Sequence, residues 1–371
     1  MYYARPAFGD PSVKTTTTRK TFGGAVMRAP VFDTPISRRE NFFRAAHRDH
    51  PRWVPIPASD IQDLHINQLA TPQGETQLGP DFIRYAKEDY RFFDIFGNSW
   101  TWVASAGGAM LTPGTKLVDD ICDWEKQIRF PDFNSWDFRE TAEKYMKEEY
   151  DPEKVMHINI HQGLTEMLVA FLGGYGEGML AMAVEPEAVK AFFDRYAQYM
   201  IDFFDLLDSL YPIDFITYHD DWGTERDTFF SAAMMEDLVF EPTKRIIDHI
   251  KGRGKVFELH SCGRIERFLP YMCDLGVDFL QIQRRANDMP ALKEKYGDRI
   301  GFMAGIEGIA FGKPCSDAQL AELIKNTVEI YAPGGGFYPV LFGTTEEILW
   351  KQSAEMYCCS REFYDRENGL A

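Results

Sequence analysis

The sequence predicts an α/β chain built as a (β/α)8 TIM barrel, one domain over residues 30–371 with an N-terminal extension. Three observations predict it. Eight short apolar runs, each bounded by Gly, Pro or Asp and too short for a helix, alternate with longer segments of helical spacing. No internal repeat, low-complexity linker or composition break divides the chain beyond its first residues. The length of 371 residues suits two or three average domains or one such barrel carrying insertions, and the unbroken composition makes the single barrel the simpler reading.

In chain order, residues 1–24 are rich in Thr, Gly and Pro, with consecutive threonines from Thr15 to Thr18. They read as a flexible arm, either a frayed tail or a segment that orders on a neighbouring subunit, which would make a homodimer. The strand-like runs are Trp53–Pro57, Trp100–Ala104, Met156–Ile160, Asp214–Tyr218, Lys255–Leu259, Asp278–Ile282, Ile300–Ala304 and Gly336–Val340. The second has the weakest pattern, and a doubly wound sheet is the other architecture these runs allow. Between them, Val189, Phe192, Phe193, Tyr196, Met200, Phe203, Leu207 and Leu210 form one helical stripe, with Pro186 near its start. A second helix runs from Pro242 through Ile246, Ile247 and Ile250 to Gly252, placed to stop it. Pro270 makes the helix after Cys262 start late or bend.

Asp and Glu number 57 against 40 Lys and Arg, a net charge of −17 that repels phosphate backbones and anionic lipid. Nucleic acid and membrane are therefore not expected partners, although the same acidity also serves plain solubility. Six cysteines in so long a chain do not make a disulfide framework. There is no apolar run of membrane-spanning length, and the first residues lack a signal-peptide core. The expectation is a cytoplasmic protein of a reducing compartment.

In a barrel, the site is built from loops at the strand C-termini. Just past the runs lie His161 and Gln162, then His219, Asp220, Asp221 and Trp222, then His260, Ser261 and Cys262. Gln281 and Gln283 close a further run, and Glu307 follows the next. Residues i and i+2 leaving a strand point the same way, so His260 and Cys262 could bind one borderline-soft ion such as zinc. The same spacing equally describes a buried cysteine beside a hydrogen-bonded histidine. His219-Asp220-Asp221 is as open: it holds a substrate or metal, or Asp220 caps the next turn. His157 lies inside a strand pattern and reads as structural. Adjacent Cys358 and Cys359 cannot easily share one ion, and Cys122 and Cys315 have no partner at metal spacing. Gly334-Gly335-Gly336 lacks the Lys-Ser/Thr of a phosphate loop and reads as a turn.

These residues carry a resemblance. Arg39-Glu40-Asn41-Phe42-Phe43-Arg44 followed by Arg52-Trp53-Val54-Pro55-Ile56, then Asp220-Asp221-Trp222-Gly223 with Pro242 beyond, resemble the uroporphyrinogen decarboxylase superfamily. The stretch from His260-Ser261-Cys262-Gly263 through Leu269-Pro270 to Gly276-Val277-Asp278 is its most specific part. The resemblance implies a (β/α)8 barrel. It also implies one of two chemistries. The decarboxylase grips its substrate's carboxylates with an Arg-rich N-terminal segment, whereas residues after Pro57 here read Ala58-Ser59-Asp60-Ile61-Gln62-Asp63. Without that arginine cluster a polyanionic porphyrinogen has nothing to neutralise it.

The corrinoid-linked methyltransferases of the superfamily hold zinc with His-x-Cys and a later Cys, which His260 and Cys262 match for the first two ligands. The later cysteine is missing from Phe337 through Glu347, and Gln281 or Gln283 stands where the similar cobalamin-independent methionine synthases place a Glu. Asp221, Glu307 and Glu346 are the candidates to complete the set. The expected function is therefore methyl transfer between a small methylated compound and a corrinoid (cobalamin) protein, assisted by zinc at His260 and Cys262. His219, Asp221 and His161 are expected to do acid–base work, and Tyr218, Trp222, Gln281 and Gln283 to bind substrate. The rival readings are transfer from a methyl-corrinoid to a thiol, a metal-free lyase acting on a smaller acid, and a non-catalytic corrinoid or tetrapyrrole binder.

Overall fold

Parallel strands joined by helices dominate the second half of the chain, and a computed structural model describes residues 3–19, 26–64, 86–133, 138–309, 315–341 and 343–370. They form an α/β chain of two compact units: Met1–Gln62 with Asp151–Met156 and Val277–Ala371, and Asp63–Tyr150 with His157–Gly276. The chain enters each unit more than once, so no composition break marks them.

In the unit of Asp63–Tyr150 and His157–Gly276, the strand Val155–Ile160 pairs in parallel from His157 onward with Phe215–His219, which pairs in turn with Val256–Ser261. The register sets Ile160 opposite Tyr218 and His219 opposite His260. The expected stripe becomes the helix Pro186–Leu210, with Pro186 in its first turn and Val189, Phe192, Tyr196, Phe203 and Leu207 buried. Phe192 packs edge-on against Trp124 and Phe171, each at 5.8 Å between ring centres. The helix Phe240–Gly252 ends at its glycine, and Leu269–Leu275 starts late, with Pro270 in its first turn.

The run at 100–104 forms a strand, but a different kind of strand. Ser99–Val103 is the middle of an antiparallel three-stranded sheet with Tyr90–Phe93 and Gly108–Leu111. Trp100 and Trp102 are buried while Thr101 and Val103 are half-buried, the alternation of a sheet covered on one face.

In the other unit, Phe279–Ile282, Gly301–Gly305 and Phe337–Val340 pair in parallel. The expected first strand, Trp53–Pro57, is buried but not a strand. Pro51, Pro55 and Pro57 remove ladder donors, and side chains take the N–H groups that remain: Val54 donates to Ser360 Oγ at 3.0 Å and Ile56 to Asp60 Oδ2 at 2.9 Å. The strand forms afterwards, at Ile61–Leu64.

The arm is tied to its own chain. Tyr3 donates its N–H to Glu362 at 3.0 Å, Arg5 pairs with Glu355 at 2.9 Å, and Thr15–Arg19 pairs antiparallel with Val26–Pro30. The charged last helix, Glu346–Glu367, supplies the partners of Tyr3 and Arg5, so the arm has contacts within its own chain. Among the described residues no single helix is long and apolar enough to cross a membrane.

Candidate metal centre

Strand pleating builds one polar face at the C-terminal ends of three strands. Along Val155–Ile160 and just beyond it, His157, Asn159 and His161 alternate with apolar residues; along Phe215–His219, Thr217 and His219 do so, and along Val256–Ser261, Glu258 and His260. The register lines them up in rows. His161, His219 and His260 form the top row and stack, with ring centres 4.1 Å apart for the first pair and 4.4 Å for the second. His219 Nε2 lies 3.2 Å from Asn159 Oδ1 in the row below. Beneath that, His157 sits between Asp63 at 2.5 Å and Thr217 at 2.8 Å, and Thr217 donates to the buried Glu258 at 3.1 Å. His157 is thus part of a hydrogen-bonded chain, as a structural residue should be.

Asp221, His260 and Cys262 bring their ligand atoms together, all within 4.8 Å of one another and all half-buried. Cys262 Sγ lies 3.5 Å from His260 Nε2, and Asp221 Oδ1 lies 3.8 Å from the same nitrogen. Two donors on one tetrahedral zinc stand about 3.3–3.6 Å apart; the His260–Cys262 pair falls in that range and the Asp221 oxygen, at 3.8 Å from His260, lies just beyond it. Asp221 Oδ1 also accepts the Cys262 N–H at 2.7 Å, which ties the two loops together. Glu307 and Glu346 are outside this group. Tyr331 donates to Glu307 at 2.6 Å with Arg284 3.6 Å away, and Arg28 donates to Glu346 at 2.7 Å and holds its carboxyl below the usual range.

A helix start supports the loops from behind. Leu164–Leu172 has Gly163 at its N-cap, which offers no side chain, and Asp220 takes that role from a distant loop. The Asp220 carboxylate is fully buried and accepts the N–H groups of Thr165 and Glu166, each at 3.1 Å, together with the Thr165 hydroxyl. Burial pushes the Asp220 carboxyl up to about 6 despite those bonds. The open alternative for Asp220 therefore resolves as a cap, on an earlier helix than expected. A Cβ at Gly163 would stand 2.4 Å from Asp220 Cβ and 2.5 Å from the His219 carbonyl oxygen. We expect Gly163→Ala to cost about 1–3 kcal/mol of stability in urea denaturation, and a variant as stable as wild type would contradict this packing.

Two further groups have no sequence signal beyond ordinary helix residues. Glu166 carries its carboxyl well above the usual range, first through burial and then through the negative charges of Asp221 and Asp220, while the N–H groups of Gln162 and Gly163 pull it back. Tyr175 stacks on Phe229 at 4.3 Å, and its phenol is raised by burial and by Glu166, Asp221 and Cys262, so it stays a neutral donor beside them. Gln162 is held at φ +70° by the Tyr196 hydroxyl on its carbonyl at 2.9 Å and by Asp94 on its amide at 3.3 Å. Such backbone costs about 1–3 kcal/mol and persists where its surroundings fix it.

The expected substrate groups are placed otherwise. Tyr218 alternates with Thr217 and His219, so it leaves the strand on the opposite face; it is buried, and its hydroxyl accepts the Leu164 N–H at 3.1 Å. Trp222 is fully buried against Phe268. Both are core residues, since each large ring gains more by burial than by exposure at a rim. In the other unit, Gln281 donates to Met303 Sδ at 2.7 Å and Gln283 is exposed.

Residues 167–326 match the family model Uroporphyrinogen decarboxylase (URO-D). That match covers the part of the chain that holds the Asp220–Gly223 and His260–Asp278 motifs, and it agrees with the resemblance they carry. No curated protein sequence matches it. Among solved structures it is similar to a methyltransferase from Methanosarcina mazei, at 13% identity and a TM-score of 0.53, covering 89% of this chain and 99% of that one. That likeness is one of fold. A B12-independent methionine synthase from Shewanella sp. W3-18-1, in complex with selenomethionine, aligns at 11% identity and a TM-score of 0.41 over 76% of each chain.

Proposed function

We propose that the protein is a zinc-assisted methyltransferase that moves a methyl group from a small methylated compound to the cobalt of a corrinoid protein, within a fold of (β/α)8 barrel type. One observation carries the reading. Asp221, His260 and Cys262 offer three ligand atoms within 4.8 Å of one another, beside Glu166, whose carboxyl is raised well above its ordinary range by burial and by Asp221 and Asp220.

An O-methyl or N-methyl group is a poor electrophile because its heteroatom leaves badly as an anion. Zinc, when bound, supplies Lewis acidity to that heteroatom. The chain's own residues do the rest. Glu166 and Tyr175, both raised in part by the charge of Asp221, hold their protons more tightly than usual. As the carbon–heteroatom bond breaks, the heteroatom keeps the electron pair and takes a proton from Glu166, while the methyl carbon bonds to the incoming nucleophile. Asp221 fixes the loop of Cys262 through its backbone bond. The stacked imidazoles of His161 and His219 extend the polar floor beside the ligand cluster.

The test begins with metal content. Purified protein should hold about one zinc per chain, in keeping with a single three-ligand set, and His260→Ala, Cys262→Ala and Asp221→Ala should each lose it. The intact protein should then demethylate O-methyl or N-methyl compounds only when a reduced corrinoid is supplied. A folded protein that stays metal-free after zinc is offered would sink the zinc chemistry. Turnover without corrinoid that survives Cys262→Ala would favour a lyase.

A further inference from the structure

At the C-terminal end of the helix Arg38–His47, two cations meet in the unit that carries the last three parallel strands. Lys293 is only 6% exposed and donates from Nζ to the Gly335 carbonyl at 2.7 Å. Arg48 caps the helix in a left-handed conformation, φ 59°, and donates to the Ala46 carbonyl at 3.4 Å. Burial and then the charge of Arg48 bring the Lys293 ammonium down to about 8, and no carboxylate is among the groups acting on it. Among the described residues neither cation pairs with an acid. In a chain of 57 acidic and 40 basic residues that is an uncommon place for two positive charges.

The turn beside them is shaped around Arg48. Gly334, Gly335 and Gly336 all have left-handed backbone, at φ +70°, +76° and +66°. A Cβ at Gly335 would stand 3.0 Å from Arg48 Cα, and one at Gly336 would stand 3.2 Å from Arg48 Cγ. Gly336 also donates its N–H to the Ala45 carbonyl at 2.9 Å, which locks the turn to the helix end. Backbone carbonyls therefore hold both stems in place while the charges themselves stay uncompensated. An ammonium and a guanidinium each have more donors than Lys293 and Arg48 use here.

We propose that Lys293 and Arg48 form a binding site for a small tetrahedral oxyanion, the phosphate group of a free phosphate or of a phosphomonoester. Such an anion removes the repulsion between the two cations and takes charge-assisted hydrogen bonds from both. It also fits an acidic protein that offers anions no general attraction, so binding here requires a built site rather than a diffuse field.

The experiment is thermal unfolding of the full chain in phosphate, and in glycerol 3-phosphate, against chloride at equal ionic strength. Phosphate at saturating concentration should raise Tm by about 2 °C or more. Lys293→Met and Arg48→Asn should each abolish that increment, and Arg48→Lys should keep most of it. Asn tolerates the left-handed backbone at position 48, so Arg48→Asn carries the test even if Lys293→Met fails to fold. A larger response to glycerol 3-phosphate assigns the site to esters, and a larger response to phosphate assigns it to the free ion. No response to either anion, or an equal response in Arg48→Asn, overturns the proposal.

Discussion

Glu166→Gln should keep its zinc and lose methyl transfer by about 10²–10⁴-fold, the range expected when a positioned acid is removed. The expectation follows from what Glu166 does and does not touch. It is not one of the three ligand atoms that lie together, so metal content should be unchanged. Its proton is held first by burial, and only then by Asp221 and Asp220, so a cation at Asp221 relieves the smaller cause and leaves the larger one. Glutamine matches its shape and offers no proton. Asp221→Asn and Cys262→Ala should behave differently, losing metal and turnover together. The decisive comparison is zinc per chain beside kcat for the three variants. In wild type the rate should fall as pH rises through the raised pKa of Glu166, and in Glu166→Gln that descent should vanish. If Glu166→Gln turns over as wild type does, Glu166 is not the acid.

The second large effect concerns stability and runs against the usual acid-side trend. Glu258 is completely buried in the strand Val256–Ser261, and burial pushes its carboxyl up to about 8, helped by Asp63 and opposed by the Thr217 hydrogen bond. The folded protein therefore keeps this proton over a range where the unfolded chain has released it. Unfolding releases a proton between the ordinary glutamate value and about 8, so stability contributed by Glu258 is full at low pH and is lost as pH rises through that window. The loss amounts to about 3–5 kcal/mol across the window. Glu258→Gln should flatten the pH dependence of urea denaturation between the ordinary glutamate value and about 8 and make the variant the more stable protein at the alkaline end. An unchanged slope would remove Glu258 from the explanation.

Much of this was legible in the sequence, for stated reasons. The parallel strands announced themselves as short β-type runs, bounded by Gly, Pro or Asp, between longer segments of helical spacing. His260 and Cys262 were legible as a pair because i and i+2 leave a strand on the same side. Asp221 was visible as a candidate, but its choice over Glu307 and Glu346 depends on where the loops fold. Trp53–Pro57 misled because apolarity reports burial and not ladder pairing, and its three neighbouring prolines were the better guide. Tyr218 misled because the reading stopped at the strand end without following alternation across His219. Glu166 and Tyr175 left no mark at all. Each is an unremarkable helix residue until tertiary contacts place it beside the ligand cluster.

The borrowed cap on the helix Leu164–Leu172 has a consequence for how this protein opens. A helix that carries its own capping side chain can fray alone, but this one is held by Asp220, which sits next to Asp221. Its first turn cannot come loose without breaking the bonds of the loop that presents Asp221. Amide exchange at Thr165 and Glu166 should then be as slow as exchange at Cys262, whose N–H is held by Asp221. The helix start and the ligand loops form one cooperative element, and escape of a bound ion from it would be a local unfolding event with that element's opening rate.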